Sequence, residues 1–173
     1  MSETAQPSRF GFGLALAALI LAADQTSKQW VLAGVRLPDI GQLYITPFFD
    51  LTFVKNYGIS FGLLKAGSEF ERWLLVGLSG TIATIFLLWM RQAPRLLSAT
   101  ALGLVVGGAV GNMIDRTRFG YVVDFLDFSG IWRPHFFNYV FNVADAAITI
   151  GAVLLIVDFM LHGEEPRPKT ADK

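Results

Sequence analysis

Long apolar stretches separated by short polar clusters organise this chain. Four of them, at about 10–30, 73–90, 96–114 and 139–161, approach or reach the roughly 20 residues a helix needs to cross a bilayer. Between the second and third lies only Arg91-Gln92-Ala93-Pro94-Arg95, which predicts a tight turn holding a helix-breaking proline. The other links, about 33–70 and 117–138, are longer and mixed. Leu43-Tyr44-Ile45 and Leu51-Thr52-Phe53-Val54 are rich in aromatic and β-branched residues, so a small sheet on the membrane surface is predicted between 40 and 55. The 117–138 link reads as aromatic loop. The predicted fold class is mainly α and integral to the membrane: four transmembrane helices and a small extracytoplasmic β-sheet. One membrane-embedded domain over 1–163 is expected. The stretch 164–173, with two prolines and mixed charge, is expected to be a disordered cytoplasmic tail.

Composition supports that frame. Of 173 residues, 53% are hydrophobic and only 16% charged, well below the roughly 25% of an average soluble domain. The formal net charge of zero gives no basic footprint for nucleic acid. With no cysteine, disulfides, thiol nucleophiles and thiolate metal sites are excluded. Two histidines, His135 and His162, are too few for an ordinary zinc site, and neither metal nor cofactor is expected.

Orientation rests on the basic residues. Arg9, Arg91, Arg95, Arg167, Lys169 and Lys173 share the side of the termini and the short turn. Arg36, Lys55, Lys65, Arg72, Arg116, Arg118 and Arg133 lie on the other, so the count is nearly even. The Arg-bounded turn and the basic tail favour both termini in the cytoplasm. Phe10 to Ala23 has the alternative reading of a cleavable signal peptide. Against it, Asp24 and Lys28 continue the helix as an i,i+4 pair, and Trp30 follows as an interface anchor.

One inference is independent of orientation. The end of the first span, the end of the third and the start of the fourth must lie on one membrane face. Asp24, Lys28, Asn112, Asp115, Arg116, Asp124, Asn142 and Asp145 therefore gather at one boundary. Asp124 in Val122-Val123-Asp124-Phe125 and Asp145 in Asn142-Val143-Ala144-Asp145 sit where hydrocarbon disfavours a carboxylate, which marks them as a candidate pair for activating water.

Each feature has a plainer reading. Gly107, Gly108 and Gly111 have the spacing that lets membrane helices approach closely. Asp115-Arg116 has the plainer reading of interface charge, but an amide at Asn112 and a guanidinium at Arg116 near the aspartates point more to orienting a site. Asn142 and Asp145 fit a helix N-cap and an acidic first turn. Asp124 fits a turn residue, with Asp127 as its rival and Phe128-Ser129-Gly130 as an ordinary turn. Asp24 and Lys28 fit a simple salt bridge. Asn56-Tyr57-Gly58-Ile59-Ser60-Phe61-Gly62 fits a tight turn or a backbone approach to substrate. Gly77-Leu78-Ser79-Gly80 resembles the serine motif of rhomboid proteases. Ser79 lacks a well-placed base, however, and reads as packing. The Gly-x-Gly-Asp motif of presenilin-like proteases is absent.

Taken in order, Asp24-Gln25-Thr26-Ser27-Lys28, Asn56-Tyr57-Gly58-Ile59-Ser60-Phe61, the Gly107–Arg116 block, Val122-Val123-Asp124-Phe125 and Phe141-Asn142-Val143-Ala144-Asp145 resemble bacterial lipoprotein signal peptidase, or signal peptidase II. The match covers nearly the whole membrane region. It departs at Ile59-Ser60, where the family commonly has smaller residues. The resemblance implies an aspartic endopeptidase of the bacterial inner membrane, acting near the extracytoplasmic face. It would remove signal peptides from diacylglyceryl-modified prolipoproteins, cutting just before the lipidated cysteine, and would be sensitive to globomycin. Asp124 and Asp145 match the family's catalytic positions. Asp24, Lys28, Asn56, Gly108, Asn112, Arg116 and Asn142 match positions that support the site. Expected partners are lipidated prolipoprotein signal peptides and membrane lipid, with no nucleic acid, and the chain is expected to be a monomer. Two other classes fit the residues alone: a small transporter relaying protons through its carboxylates, and a scaffold whose polar cluster holds helices together.

Overall fold

The computed structural model of the chain describes residues 8–58, 68–129 and 139–162. Expectations for Ile59-Ser60, His135 and the 164–173 tail lie outside them. Helix α1 (Arg9–Gln29) starts at Ser8, whose hydroxyl accepts the Gly11 N–H, and runs into a π-helical turn over Trp30–Gly34. A short α2 (Leu37–Ile40) leads into strands β1 (Gln42–Thr46) and β2 (Phe49–Asn56). Helices α3 (Glu69–Met90) and α4 (Leu96–Phe119) follow, then β3 (Val122–Asp127), β4 (Val140–Phe141) and α5 (Val143–His162).

Among the described residues four helices are long and apolar enough to span a membrane: 9–34, 69–90, 96–119 and 143–162. At 1.5 Å per residue each exceeds or matches a hydrocarbon core of about 30 Å. Trp73 and Trp89, at the two ends of α3, are half exposed and about 24 Å apart along the axis, as interface anchors would be. Phe70, Leu78, Ile85, Phe159 and Met160 are also exposed, which suits lipid contact.

The bundle is built around α4, two thirds of whose most apolar window is buried against 11–17% in the other three. Helices in lipid gain little from hydrophobic burial against one another and associate through close packing. Small residues supply it here. A Cβ on Gly103 would come within 2.6 Å of the Gly13 carbonyl oxygen, and one on Gly107 within 2.6 Å of that of Ala17, so α1 and α4 touch backbone to backbone. Across α4, a Cβ on Gly108 would meet the Ala144 carbonyl at 2.5 Å, and Gly151 abuts the Ala101 carbonyl in the same way. At the turn end, Ser98 Oγ donates to Asp158 Oδ2 at 2.6 Å, and Arg9 Nη1 donates to the Pro94 carbonyl at 2.6 Å. At the other end, Arg72 of α3 caps the last turn of α4 through the carbonyls of Arg116 and Thr117, at 2.8 and 2.6 Å.

The sheet is antiparallel in the order β1-β2-β3-β4. It therefore draws strands from both long links. Val31, Leu37, Leu51, Val123 and Phe125 form its buried apolar core, which seats it on the extension of α1. Between Leu51 and Val54, β2 advances three residues while β3 advances two, from Leu126 to Asp124. That extra residue is a β-bulge, which re-aims side chains locally.

Several expected boundaries move: the first span extends to Gly34 and α3 begins at Glu69 rather than 73. Helix α4 continues past 114 to Phe119 and stops at Gly120, whose φ of +82° suits a C-cap glycine. Residues 122–127, read as loop, are a strand. The fourth helix begins at Val143, because Val140 and Phe141 pair with β3 as β4.

Candidate active site

Asp124 and Asp145 reach the same place from different layers. Asp124 lies on β3 between Val123 and Phe125; strand alternation sends those two into the apolar core and the carboxylate to the opposite face. Asn56, diagonal to it on β2, donates from Nδ2 to Asp124 Oδ2 at 2.9 Å. Asp145 lies in the first turn of α5. Asn142 caps that turn: its Oδ1 accepts the Asp145 N–H at 2.9 Å, and Asp145 Oδ2 accepts the Asn142 N–H at 3.2 Å. This reciprocal pair is a capping box with an acid in the return position. The cap also works outward, since Asn142 Nδ2 donates to Asp124 Oδ1 at 2.6 Å and to Asn112 Oδ1 at 3.3 Å. Asn112 Nδ2 in turn donates to Asp145 Oδ1 at 2.8 Å. Every oxygen of the two carboxylates thus accepts an N–H, and two asparagine amides bridge one acid to the other.

A second polar layer lies beneath, in α1 and α4. Lys28 Nζ contacts Asp24 Oδ2 at 2.9 Å, Asp115 Oδ2 at 2.8 Å and Asn112 Oδ1 at 3.2 Å. Asp24 and Asp115 are 0% exposed and Lys28 is 2% exposed. Asp24 Oδ1 accepts the Ala144 N–H at 2.9 Å, one of the free donors at the start of α5. Gly111 leaves room for this, since a Cβ there would stand 2.5 Å from Asp24 Oδ2. Arg116, in the last turn of α4, acts electrostatically on Asp145, Asp124 and Asp115, and its buried Nε has no hydrogen-bond partner among the described residues.

Burial, reinforced by the Asp145 charge, pushes the Asp124 carboxyl up to about 7, against the pull of hydrogen bonds from Asn56 and Asn142 and the Lys28 charge. Asp127 behaves differently. Burial pushes it up, but hydrogen bonds from Ser129 and Thr52 outweigh that and leave it below its usual value. Its oxygens take the Thr52 hydroxyl at 2.7 Å and the Ser129 N–H at 2.9 Å, an ordinary turn. Beside Asp145 opens a largely apolar cavity of about 320 Å³, lined by Tyr139, Phe141, Ala146, Thr149 and Ile150.

The structure gathers Asp24, Lys28, Asn56, Asn112, Asn142, Asp124 and Asp145 into one hydrogen-bonded set. Gly108 touches it only through packing against Ala144. The plain cap, salt-bridge and packing readings of Asn142, Asp24–Lys28 and the glycines hold as geometry, inside the same network. Ser79 is half-buried on α3. Gln25 figures in the sequence only as part of the Asp24–Lys28 motif and not as a site residue, yet its Nε2 donates to Asp115 Oδ1 at 3.0 Å and Asp24 Oδ2 at 3.1 Å. Sequence reasoning also missed Arg72 and Tyr139.

With this geometry in view, comparison decides the family. The model described as Signal peptidase (SPase) II matches residues 16–161. The chain belongs to the signal peptidase II family. A lipoprotein signal peptidase of Rhizorhabdus wittichii is 49% identical over 159 residues, covering 91% of this chain and 90% of the relative. One from Caulobacter vibrioides is 43% identical over 157 residues, covering 87% of each. A bacterial membrane enzyme solved by the in meso method at 2.3 Å resolution superposes with a TM-score of 0.73 at 24% identity, over 94% of this chain and 95% of that one, a likeness of fold. A second, at 1.9 Å resolution, gives 0.74 at 25% identity, over 88% and 94%. Signal peptidase II membership makes this a bacterial membrane protease that acts on prolipoprotein signal peptides, and removes the transporter and scaffold readings.

Proposed function

We propose that the protein cleaves diacylglyceryl-modified prolipoproteins just before the lipidated cysteine, using Asp124 and Asp145 to activate water. The observation that carries this is the pair of asparagine bridges joining the two carboxylates. The Asp145 charge raises the Asp124 carboxyl, so the two acids are read as sharing one proton, because both ionise only at high cost. The ionised one takes a proton from water, which attacks the scissile carbonyl. The protonated one donates to the carbonyl oxygen and then assists the leaving amine. The pair titrates as a unit. Amide donors on every carboxylate oxygen suit this role and disfavour a bound cation. In this reading Arg116, whose charge acts on both carboxylates, steadies the pair, and the apolar cavity beside Asp145 receives part of the signal segment. The test is mass spectrometry of a lipidated prolipoprotein incubated with the purified protein. A product beginning at the lipidated cysteine is expected; an intact precursor, or a cut elsewhere, overturns the reading.

In the same reading both termini face the cytoplasm and the sheet lies outside. Arg9, Arg91 and Arg95 at the turn end, opposite the site, support it. Cysteines placed at Thr52 and Gln92 are expected to label from opposite sides of intact cells. Labelling from one side would reject this arrangement.

The elevated Asp124 value gives a pH dependence. Its carboxyl keeps a proton up to about pH 7 when folded and loses it near 3.8 when unfolded. Between those values the folded state binds more protons, so this group's contribution to stability falls as pH rises through the window. Activity follows the shared proton, and kcat/KM is expected to fall as pH rises through about 7. Asn56→Leu removes a bond that favours the ionised form, so this alkaline limb is expected to move to higher pH. A limb that stays put or moves lower would contradict the placement of Asn56 on Asp124.

A further inference from the structure

We infer that Asp115 is a positioning residue for both halves of the acid pair. This rests on reading Asp124 and Asp145 as the reacting groups. Asp115 lies near the end of α4, completely buried, and its two oxygens make three contacts that point in two directions.

The first direction is toward Asp124. Asp115 Oδ2 accepts the backbone N–H of Val123 at 3.0 Å. Val123 immediately precedes Asp124 and is itself 0% exposed. Strand β3 is in register with β2, and the Val123 N–H is held by a side chain of the bundle. A buried backbone N–H without a partner is costly, so the bond fixes how far the strand stands from α4. It thereby fixes the height at which Asp124 enters the site.

The second direction is toward Asp145. Asp115 Oδ2 also holds Lys28 Nζ at 2.8 Å. An ammonium only donates. Lys28 therefore requires the oxygen of the Asn112 amide, and contacts it at 3.2 Å. The amide has one oxygen and one NH₂. With its oxygen turned to Lys28, the NH₂ must face Asp145, and it does so at 2.8 Å. The same orientation leaves Asn112 Oδ1 to accept from Asn142, which carries the bridge on to Asp124. Lys28 thus sets the polarity of the amide chain between the acids, and Asp115, together with Asp24, sets Lys28. Gln25 steadies Asp115 from the edge through Oδ1 at 3.0 Å.

Asp115→Asn nearly keeps the shape but removes one of the two charges that hold Lys28, leaving Asp24 alone. In full-length protein assayed on a lipidated prolipoprotein, kcat is expected to fall about 10²-fold, the size expected when reacting groups are slightly misplaced. KM should stay within about threefold, since Asp115 is fully buried. In an Asn112→Ala background the same change should cost clearly less, because the route to Asp145 is already cut. Should Asp115→Asn not insert, Gln25→Leu carries the test from the half-buried edge, with kcat about fivefold lower, KM unchanged and the same loss of effect in Asn112→Ala. A kcat within twofold of wild type for the variant that folds, or losses that simply multiply with Asn112→Ala, overturns the inference. Asp124→Asn and Asp145→Asn run alongside: activity in either would reject the acid pair itself, whereas both dead beside a normal Asp115→Asn rejects only this role.

Discussion

Asp124→Asn and Asp145→Asn are each expected to abolish cleavage, by about 10²–10⁴-fold or more, in protein that still folds and inserts. Asparagine keeps the outline of the side chain and one acceptor, but cannot take a proton from water. At position 124 it turns an NH₂ toward Asn56 or Asn142, both of which donate to the native carboxylate. One neighbouring amide must then flip, a local cost well short of unfolding. The double variant should be scarcely worse than either single one, because groups that act as one unit are not additive. Asp127→Asn is the control, on the same strand but engaged with Thr52 and Ser129. Near-normal turnover in Asp124→Asn, or inactivity confined to Asp127→Asn, would mean that the wrong carboxylates have been chosen.

Lys28→Met is expected to cost about 3–5 kcal/mol of stability, the range for removing one partner of a buried ion pair. It leaves Asp24 and Asp115, both fully buried, without their shared cation. For a chain of this size that corresponds to a melting temperature lower by roughly 10 °C in detergent. Arg36→Met provides the contrast. Its pair with Asp39 is as short, at 2.7 Å, but the side chains are 75% and 57% exposed, so the loss should stay within about 1 kcal/mol. Equal losses from the two variants would show that burial does not strengthen the Lys28 cluster. An unchanged melting temperature in Lys28→Met would show that the two aspartates simply take up protons.

The four helices were legible because a bilayer imposes a length that the apolar runs nearly match. Convergence of Asp24, Lys28, Asn112, Asn142 and Asp145 was legible for a related reason: helices that cross the same slab must return their ends to the same face. Strand β3 was not. Val122-Val123-Asp124-Phe125 is buried on both faces, so it lacks the alternation that marks a half-exposed strand. It becomes a strand only because residues 49–56 and 140–141 flank it, far away in sequence. The start of α5 was obscured in the opposite way. Tyr139, Val140 and Phe141 continue the apolar run of the helix without interruption, and only the Asn142 cap marks the join. Gln25 stood beside Asp24 in the sequence, but nothing there pointed to Asp115, 90 positions away, which it also touches.

The two acids belong to different bodies. Asp145 is fixed to one of the four helices long and apolar enough to span a membrane, whereas Asp124 lies on a strand of the sheet. Hydrophobic mismatch tilts helices and leaves interfacial elements behind. Any such shear acts directly on the gap between the carboxylates, resisted by the amide bridges and the Val123 tether. On the proposed reading of Asp124 and Asp145 as the reacting pair, membrane thickness becomes a mechanical input to their spacing.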